Sequence, residues 1–276
     1  MHNINLKKLY SFLRKSPFGG RLTQSQVDGT NMIIQEFYKV DDDIRKLAYI
    51  LATAFHETGG RMVAVREGFA KSDKSARHII RNYKYGKVHE GTGHVYYGRG
   101  HVQLTWAQNY RRMGNILNIP LYENPDLALD PQISATILVE GMTRGISGKG
   151  DFTGKSLADY FNDNIDDPIG ARRIVNGTDK DKLIAGYYNS ILDSIKHSIN
   201  QEEPYYDVDQ LGTPDKPNLM KDKTTIGTIS AVAGSGVFGV LSSIDSPWAF
   251  AAFAVLAIGA FLYFTGRIKI IKDAGA

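Results

Sequence analysis

Asp41-Asp42-Asp43-Ile44-Arg45-Lys46-Leu47-Ala48-Tyr49-Ile50-Leu51-Ala52-Thr53-Ala54-Phe55-His56-Glu57-Thr58-Gly59-Gly60 is the stretch whose reading decides the fold. The three acids offer an N-cap and a negative first turn, and the two glycines offer a stop. Between them Ile44, Leu47, Ala48, Leu51 and Phe55 recur at helical spacing, so the segment reads as an amphipathic helix. At about 100° per residue, Glu57 lies roughly 140° from the centre of that stripe. It therefore turns from the core toward a cleft, with Ile50 and Ala54 on its flank. A carboxylate in the last turn faces the negative end of the helix dipole. Dipole and apolar neighbours both disfavour ionisation, the condition a general acid requires. Taken alone, such a residue is more often an exposed helix-end glutamate.

A second block changes that weighting. Tyr96-Tyr97-Gly98-Arg99-Gly100-His101-Val102-Gln103-Leu104-Thr105 is a glycine-punctuated run of polar and aromatic side chains suited to lining a sugar cleft. With Phe55–Gly60 it resembles the family 19 glycoside hydrolases, which comprise plant-type chitinases and related phage and bacterial endolysins that cut peptidoglycan. The resemblance covers roughly residues 25–200 and is dense in the two blocks. It implies a mainly α catalytic domain (α+β, of the lysozyme-like superfamily) that hydrolyses β-1,4 aminosugar links with inversion. An inverting enzyme needs an acid at the leaving oxygen and a second carboxylate, about 6.5–9.5 Å away, to activate water.

Glu57 matches the family's acid within its His-Glu-Thr-Gly-Gly block. Plant-type members place the second glutamate further downstream, where this chain has none. Phage members have one ahead of a segment resembling Gly68-Phe69-Ala70-Lys71-Ser72, and Glu67 fits that slot, with Arg66 beside it to favour its ionised form. Glu90 and Asp73 are the alternatives. Gln103, Thr105 and Asn109 match polar positions that in the family contact sugar or position water, and Tyr97 is expected to present its ring to the sugar. Arg99 reads equally as a site residue or a brace. Ile174-Val175-Asn176-Gly177 resembles a downstream family stretch and makes Asn176 a substrate-binding candidate, although Thr178 stands where the family often has a glycine. His56 reads as a packed helix-end histidine.

Composition narrows the alternatives. Cys is absent, which excludes disulfides and thiolate metal sites, and the seven His show no paired ligand spacing, so neither a metal nor a cofactor is expected. A net charge of +4 is a mild basic bias, compatible with an anionic wall or membrane surface and short of a nucleic-acid signature. Met1–Lys8 lacks the apolar region of a secretory signal, and Leu6, Leu9, Tyr10 and Leu13 suggest a short helix instead.

Helices are expected over Thr23–Tyr38 (Gly29 a weak spot), Asp41–Phe55, Thr105–Leu117 and Ile133–Met142, then Leu157–Phe161, Pro168–Val175 and Lys182–Ile199. Loops and a short hairpin are expected over 61–95. The catalytic domain is assigned to residues 1–201. Residues 202–224 read as a linker with Pro204, Pro214 and Pro217. Over 225–276 the reading is a transmembrane helical hairpin with a basic tail. Trp248–Phe264 is seventeen residues without a charge, and Ile226–Ile244 is likewise uncharged, with Ala231, Ser235 and Gly239 four apart. Lys216, Lys221 and Lys223 before the pair and Arg267, Lys269 and Lys272 after it put both ends on one face. A buried soluble hairpin or a single span with an interfacial first segment are the competing readings.

The expected function is that of a phage peptidoglycan hydrolase held at the host inner membrane, with peptidoglycan strands and the bilayer as partners and no nucleic acid. A chitinase is one alternative. A virion-packaged membrane-penetration protein, assembled with virion proteins and carrying auxiliary wall-degrading activity, is the other.

Overall fold

The computed structural model describes residues 4–199. The linker and the two apolar runs of the expected membrane hairpin lie outside the described residues. Among the described residues no helix is long and apolar enough to cross a membrane.

The described part is mainly helical. α1 (Leu6–Leu13), α2 (Gln24–Phe37) and α3 (Ile44–Glu57) come first, followed by β1 (Val65–Arg66), α4 (Asp73–Ile80), β2 (Arg99–Gly100), α5 (Ala107–Leu117), α6 (Pro131–Met142) and α7 (Asp181–Lys196). Short 3-10 turns at Glu67–Phe69, Lys84–Gly86, Pro125–Leu129, Leu157–Asp159 and Gly170–Ile174 join them. Capping explains several starts. The Thr23 and Gln26 side chains close a reciprocal box on α2, Asp43 accepts from the Arg45 amide, and Asp130 accepts from the Ile133 amide ahead of Pro131.

α3 is the central element and departs from its expected amphipathic form. Leu47 through Ala54 are all buried, Ile50 and Ala54 fully, so those two belong to the core and not to a cleft wall. One side of α3 packs along α7, and α2 and α6 also pack on it. Tyr49, Phe161 and Tyr188 form a ring cluster across the α3–α7 contact, with centroids 5.3 to 6.0 Å apart. α1 seals α7 through Leu6, Leu9, Tyr10 and Leu13, and the Asn5 amide donates to the Ser198 carbonyl, so the two ends of the described chain meet.

Two features of 61–100 correct the sequence reading. No local hairpin forms there; β1 pairs antiparallel with the distant β2, Val65 opposite Gly100 and Arg66 opposite Arg99. α4 is a helix in a stretch expected to be loop, started by a box between Ser72 and Ser75. Gly29 also proves to be a crossing point: a Cβ there would sit 1.6 Å from the Met62 carbonyl oxygen, so only glycine lets the chain after α3 cross α2 this closely.

Candidate active site

The His56–Gly60 block ends α3 by a specific set of bonds. The Thr58 amide and hydroxyl both donate to the Ala54 carbonyl, and the Thr58 hydroxyl accepts from the Met62 amide. Gly59 and Gly60 take positive φ, 58° and 77°, and the Gln26 side chain pins the turn to α2 through the Gly60 carbonyl. The last residue of the helix, Glu57, is thereby fixed at its rim with its side chain 16 % exposed.

The Glu57 carboxylate is not left to apolar neighbours. Arg172, 3 % exposed on the Gly170–Ile174 turn, donates from Nη1 to Glu57 Oε1 at 2.8 Å, and its Nε donates to the Asp179 carbonyl at 2.9 Å. The expected apolar setting for Glu57 is corrected: its strongest neighbour is a buried cation from a residue 115 positions away. His56 sits half-buried beside it, its pKa lowered by burial while Glu57 works in the opposite direction.

The second block is shaped by backbone approach. Gly100 (φ 86°) lies where a Cβ would meet Ser134 Oγ at 2.7 Å and the Ala128 carbonyl at 2.8 Å, and the Arg99 and Leu104 backbones bond each other across the turn. Gln103 then takes φ 54° and spends both amide hydrogens on backbone, on the Val65 and Gly100 carbonyls at 3.0 Å. Thr105 donates to the Gln103 carbonyl, and Asn109 Nδ2 to the Thr105 carbonyl. What these three groups keep for a ligand is therefore largely acceptor oxygen.

Glu57, Gln103, Thr105, Asn109 and Asn176 line one cleft of about 360 Å³, with Tyr85, Trp106 and Phe152 among its other walls. Glu67 stands beside it. Tyr85 donates to Glu67 Oε1 at 2.6 Å, and the Gly98 amide donates to Oε2 at 2.8 Å. A Cβ on Gly98 would lie 3.2 Å from Glu67 Oε2 and 2.8 Å from Gln103 Oε1, so the two side chains converge over the bare α-carbon. The Tyr85 hydroxyl has its pKa raised by burial and by the carboxylate it serves.

The other acid candidates lie elsewhere. Asp73 is bound to Arg77, to the Tyr97 hydroxyl and to Arg99, and Glu90 is exposed and lines neither this cleft nor its neighbour. The expectation for Tyr97 is corrected: it is fully buried, its hydroxyl donates to Asp73 at 2.9 Å, and the Arg99 guanidinium covers its ring at 3.6 Å. Arg99 is likewise a brace, 2 % exposed and paired with Asp126. The aromatic surface of the cleft comes instead from Tyr85 and from Trp106, 41 % exposed at an unusual φ of 76°. Neither was singled out from sequence, although Trp106 directly follows the second block. Arg172 carried no sequence signal of its own.

Residues 37–145 match the family model Glyco_hydro_19, chitinase class I. Over 98 residues the chain is 31% identical to endochitinase A2 of Pisum sativum, a match covering 33% of this chain and 29% of that protein. Over 43 residues it is 51% identical to endochitinase 1 of Theobroma cacao, covering 15% and 13% respectively. Among solved structures it is similar to chitinase C from Streptomyces griseus HUT6037, with a TM-score of 0.45 and 18% identity over 71% of this chain and 78% of that one. The chain thus spans less than a third of the length of these two plant relatives. The similarity to chitinase class I proteins is confined to this segment of residues 37–145. The matched segment holds Glu57, Glu67, Gln103, Thr105 and Asn109, whereas Asn176 reaches the cleft, and Arg172 reaches Glu57, from beyond it.

Proposed function

We propose that the chain hydrolyses β-1,4 links between aminosugars in the glycan strands of peptidoglycan, as phage-type wall hydrolases do, with Glu57 as acid and Glu67 as base. The observation that carries this reading is the cleft that Glu57, backed by the buried Arg172, shares with the polar side chains of Gln103, Thr105, Asn109 and Asn176. Glu57 gives a proton to the leaving oxygen as the glycosidic C–O bond breaks, and Arg172 stabilises the carboxylate that results. Glu67, held as an acceptor by Tyr85 and Gly98, takes a proton from the water that attacks the opposite face of the anomeric carbon. The products are a free alcohol and a hemiacetal of inverted configuration. Trp106 and Tyr85 supply flat apolar faces for sugar rings.

The endochitinase relatives favour chitin as the second substrate reading. Initial rates of the full chain on peptidoglycan strands and on chitin oligosaccharides separate the two, and NMR of the first products reads the anomer. Release of reducing ends from neither polymer would refute the glycosidase reading, and a retained anomer would remove Glu67 as base.

The C-terminal runs are proposed to tether the enzyme to a bilayer. Trp248–Phe264, uncharged over seventeen residues, would be about 25 Å long as a helix, close to the hydrocarbon thickness. Reporter fusions after Lys223 and after Ala276 should report the same compartment; opposite compartments would leave one span, and full release by carbonate would leave none.

A further inference from the structure

The wall that Tyr85 and Trp106 give to the Glu57 cleft has a second side. There the same two rings, which meet edge to face at 5.4 Å, border another cavity of about 340 Å³ together with Lys84, Lys87, Arg111 and Tyr122. Among the described residues no acidic side chain lines this cavity. Lys84, Lys87 and Arg111 are exposed, and among the described residues no ion pair engages them. Arg111 lays its guanidinium over the Tyr122 ring at 4.1 Å from the centroid. The ring occupies the flat face and leaves the N–H edge, which is the part that binds a carboxylate.

A cationic cavity sharing a wall with a glycan cleft discriminates between polymers by charge. Chitin is neutral. Peptidoglycan carries carboxylates, on the stem peptides of intact strands and on the lactyl ethers once the stems are removed. We propose that Lys84, Lys87 and Arg111 form a carboxylate-recognition site that extends the Glu57 cleft and selects anionic over neutral glycan. The proposal rests on the glycosidase reading of that cleft and adds the charge of its substrate.

The test is calorimetric titration of the full chain and of its Lys84→Gln/Lys87→Gln/Arg111→Gln variant. The probes are a disaccharide bearing a stem peptide, the same disaccharide with the stem removed and its lactyl acid free, and neutral chitobiose. The variant should bind at least one anionic probe about tenfold more weakly relative to chitobiose, since each exposed charge contact contributes little singly and three act together. The probe that loses affinity identifies the carboxylate, and wild-type preference for it should shrink with added salt. An unchanged affinity ratio between anionic and neutral probes would overturn the proposal. Titration needs no turnover, so a chain that cuts no glycan yet prefers the anionic probe would refute the hydrolase reading alone. A chain that cuts glycan without charge preference would refute only this one.

Discussion

Arg172 and Arg99 are both buried arginines paired with a carboxylate, but their surroundings differ. Arg99 is engaged at every nitrogen: Nε donates to Asp126, Nη1 to the carbonyls of Val95 and Tyr97 and to the Tyr110 hydroxyl, and Nη2 stands 3.6 Å from Asp73. Tyr97 closes one face of the guanidinium. These contacts tie the segment before β2 to α4, α5 and the Pro125–Leu129 turn, and neither acid partner lines the Glu57 cleft. Arg172 bonds one backbone carbonyl and one carboxylate, and that carboxylate opens on the cleft. Burial and pairing alone therefore do not mark a site. What marks it is a partner whose remaining oxygen is free to meet a ligand.

The largest effect should come from cutting the Arg172 pair on its acid side. Glu57→Gln keeps an oxygen for Arg172 to donate to, so the fold should persist, but the proposed proton donor is gone. Reducing-end release should fall by at least about a thousandfold with the circular dichroism spectrum unchanged. Turnover near wild type would end the assignment of Glu57.

Next in size is the brace. Arg99→Gln removes the cation from between Asp126 and Asp73 and strips donors from two buried carbonyls. The cost should be about 3 kcal/mol, toward the low end for a broken buried pair because both acids keep contact with water. Thermal unfolding should show it; an unchanged midpoint would mean that the network braces nothing. Its neighbour His101 gives the fold a pH dependence of similar size. Burial pushes the ring down to about 4, while its nitrogens bond Ser134 and the Met62 carbonyl. The unfolded chain, with a histidine near 6.5, then binds more protons between those values, so stability is full above about pH 6.5 and falls by about 3 kcal/mol as pH drops to 4. His101→Gln should flatten that slope in unfolding curves at pH 7, 5.5 and 4.5.

A step smaller again is Glu67→Gln. The amide can still accept from Gly98 through Oε1 and donate to the Tyr85 oxygen through Nε2, so the wall should hold while the proposed base is lost. Activity should drop about a hundredfold, against little change for the exposed Glu90→Gln. The reverse order would move the base to Glu90.

How far the sequence could anticipate these two regions depends on the range of the contacts. The N-terminal helix was legible because Leu6, Leu9, Tyr10 and Leu13 fall on one face, and all four are buried. α3 was legible in extent through its acids and glycines, but not in environment, because a helix packed by α2, α6 and α7 is buried nearly all round. α4 is only eight residues long and buries only Ala76 and Ile80, and its Ser72–Ser75 box marks its start. β1 and β2 are two residues each, too short for alternation to register. The convergence of Gln103, Thr105, Asn109 and Asn176 on Glu57 was expected from the resemblance, whereas Arg172 was not. A pair separated by 115 positions leaves no mark on local pattern.

The smallest effect tests the side chain whose place was misread. Tyr97 lies near the start of the second block and Trp106 directly follows its end, and of the two only Trp106 faces a cleft. Tyr97→Phe removes one hydrogen bond to a half-exposed carboxylate and leaves the ring beneath Arg99, so it should cost about 1 kcal/mol of stability. Glycan turnover should be unaffected once the protein is assayed well below its melting temperature. Trp106→Ala should do the opposite, raising KM several-fold by loss of a ring face while the unfolding midpoint moves little, as expected for a side chain 41 % exposed. A KM defect in Tyr97→Phe with Trp106→Ala kinetically silent would restore the sequence reading and move the sugar-facing wall to the other end of the block.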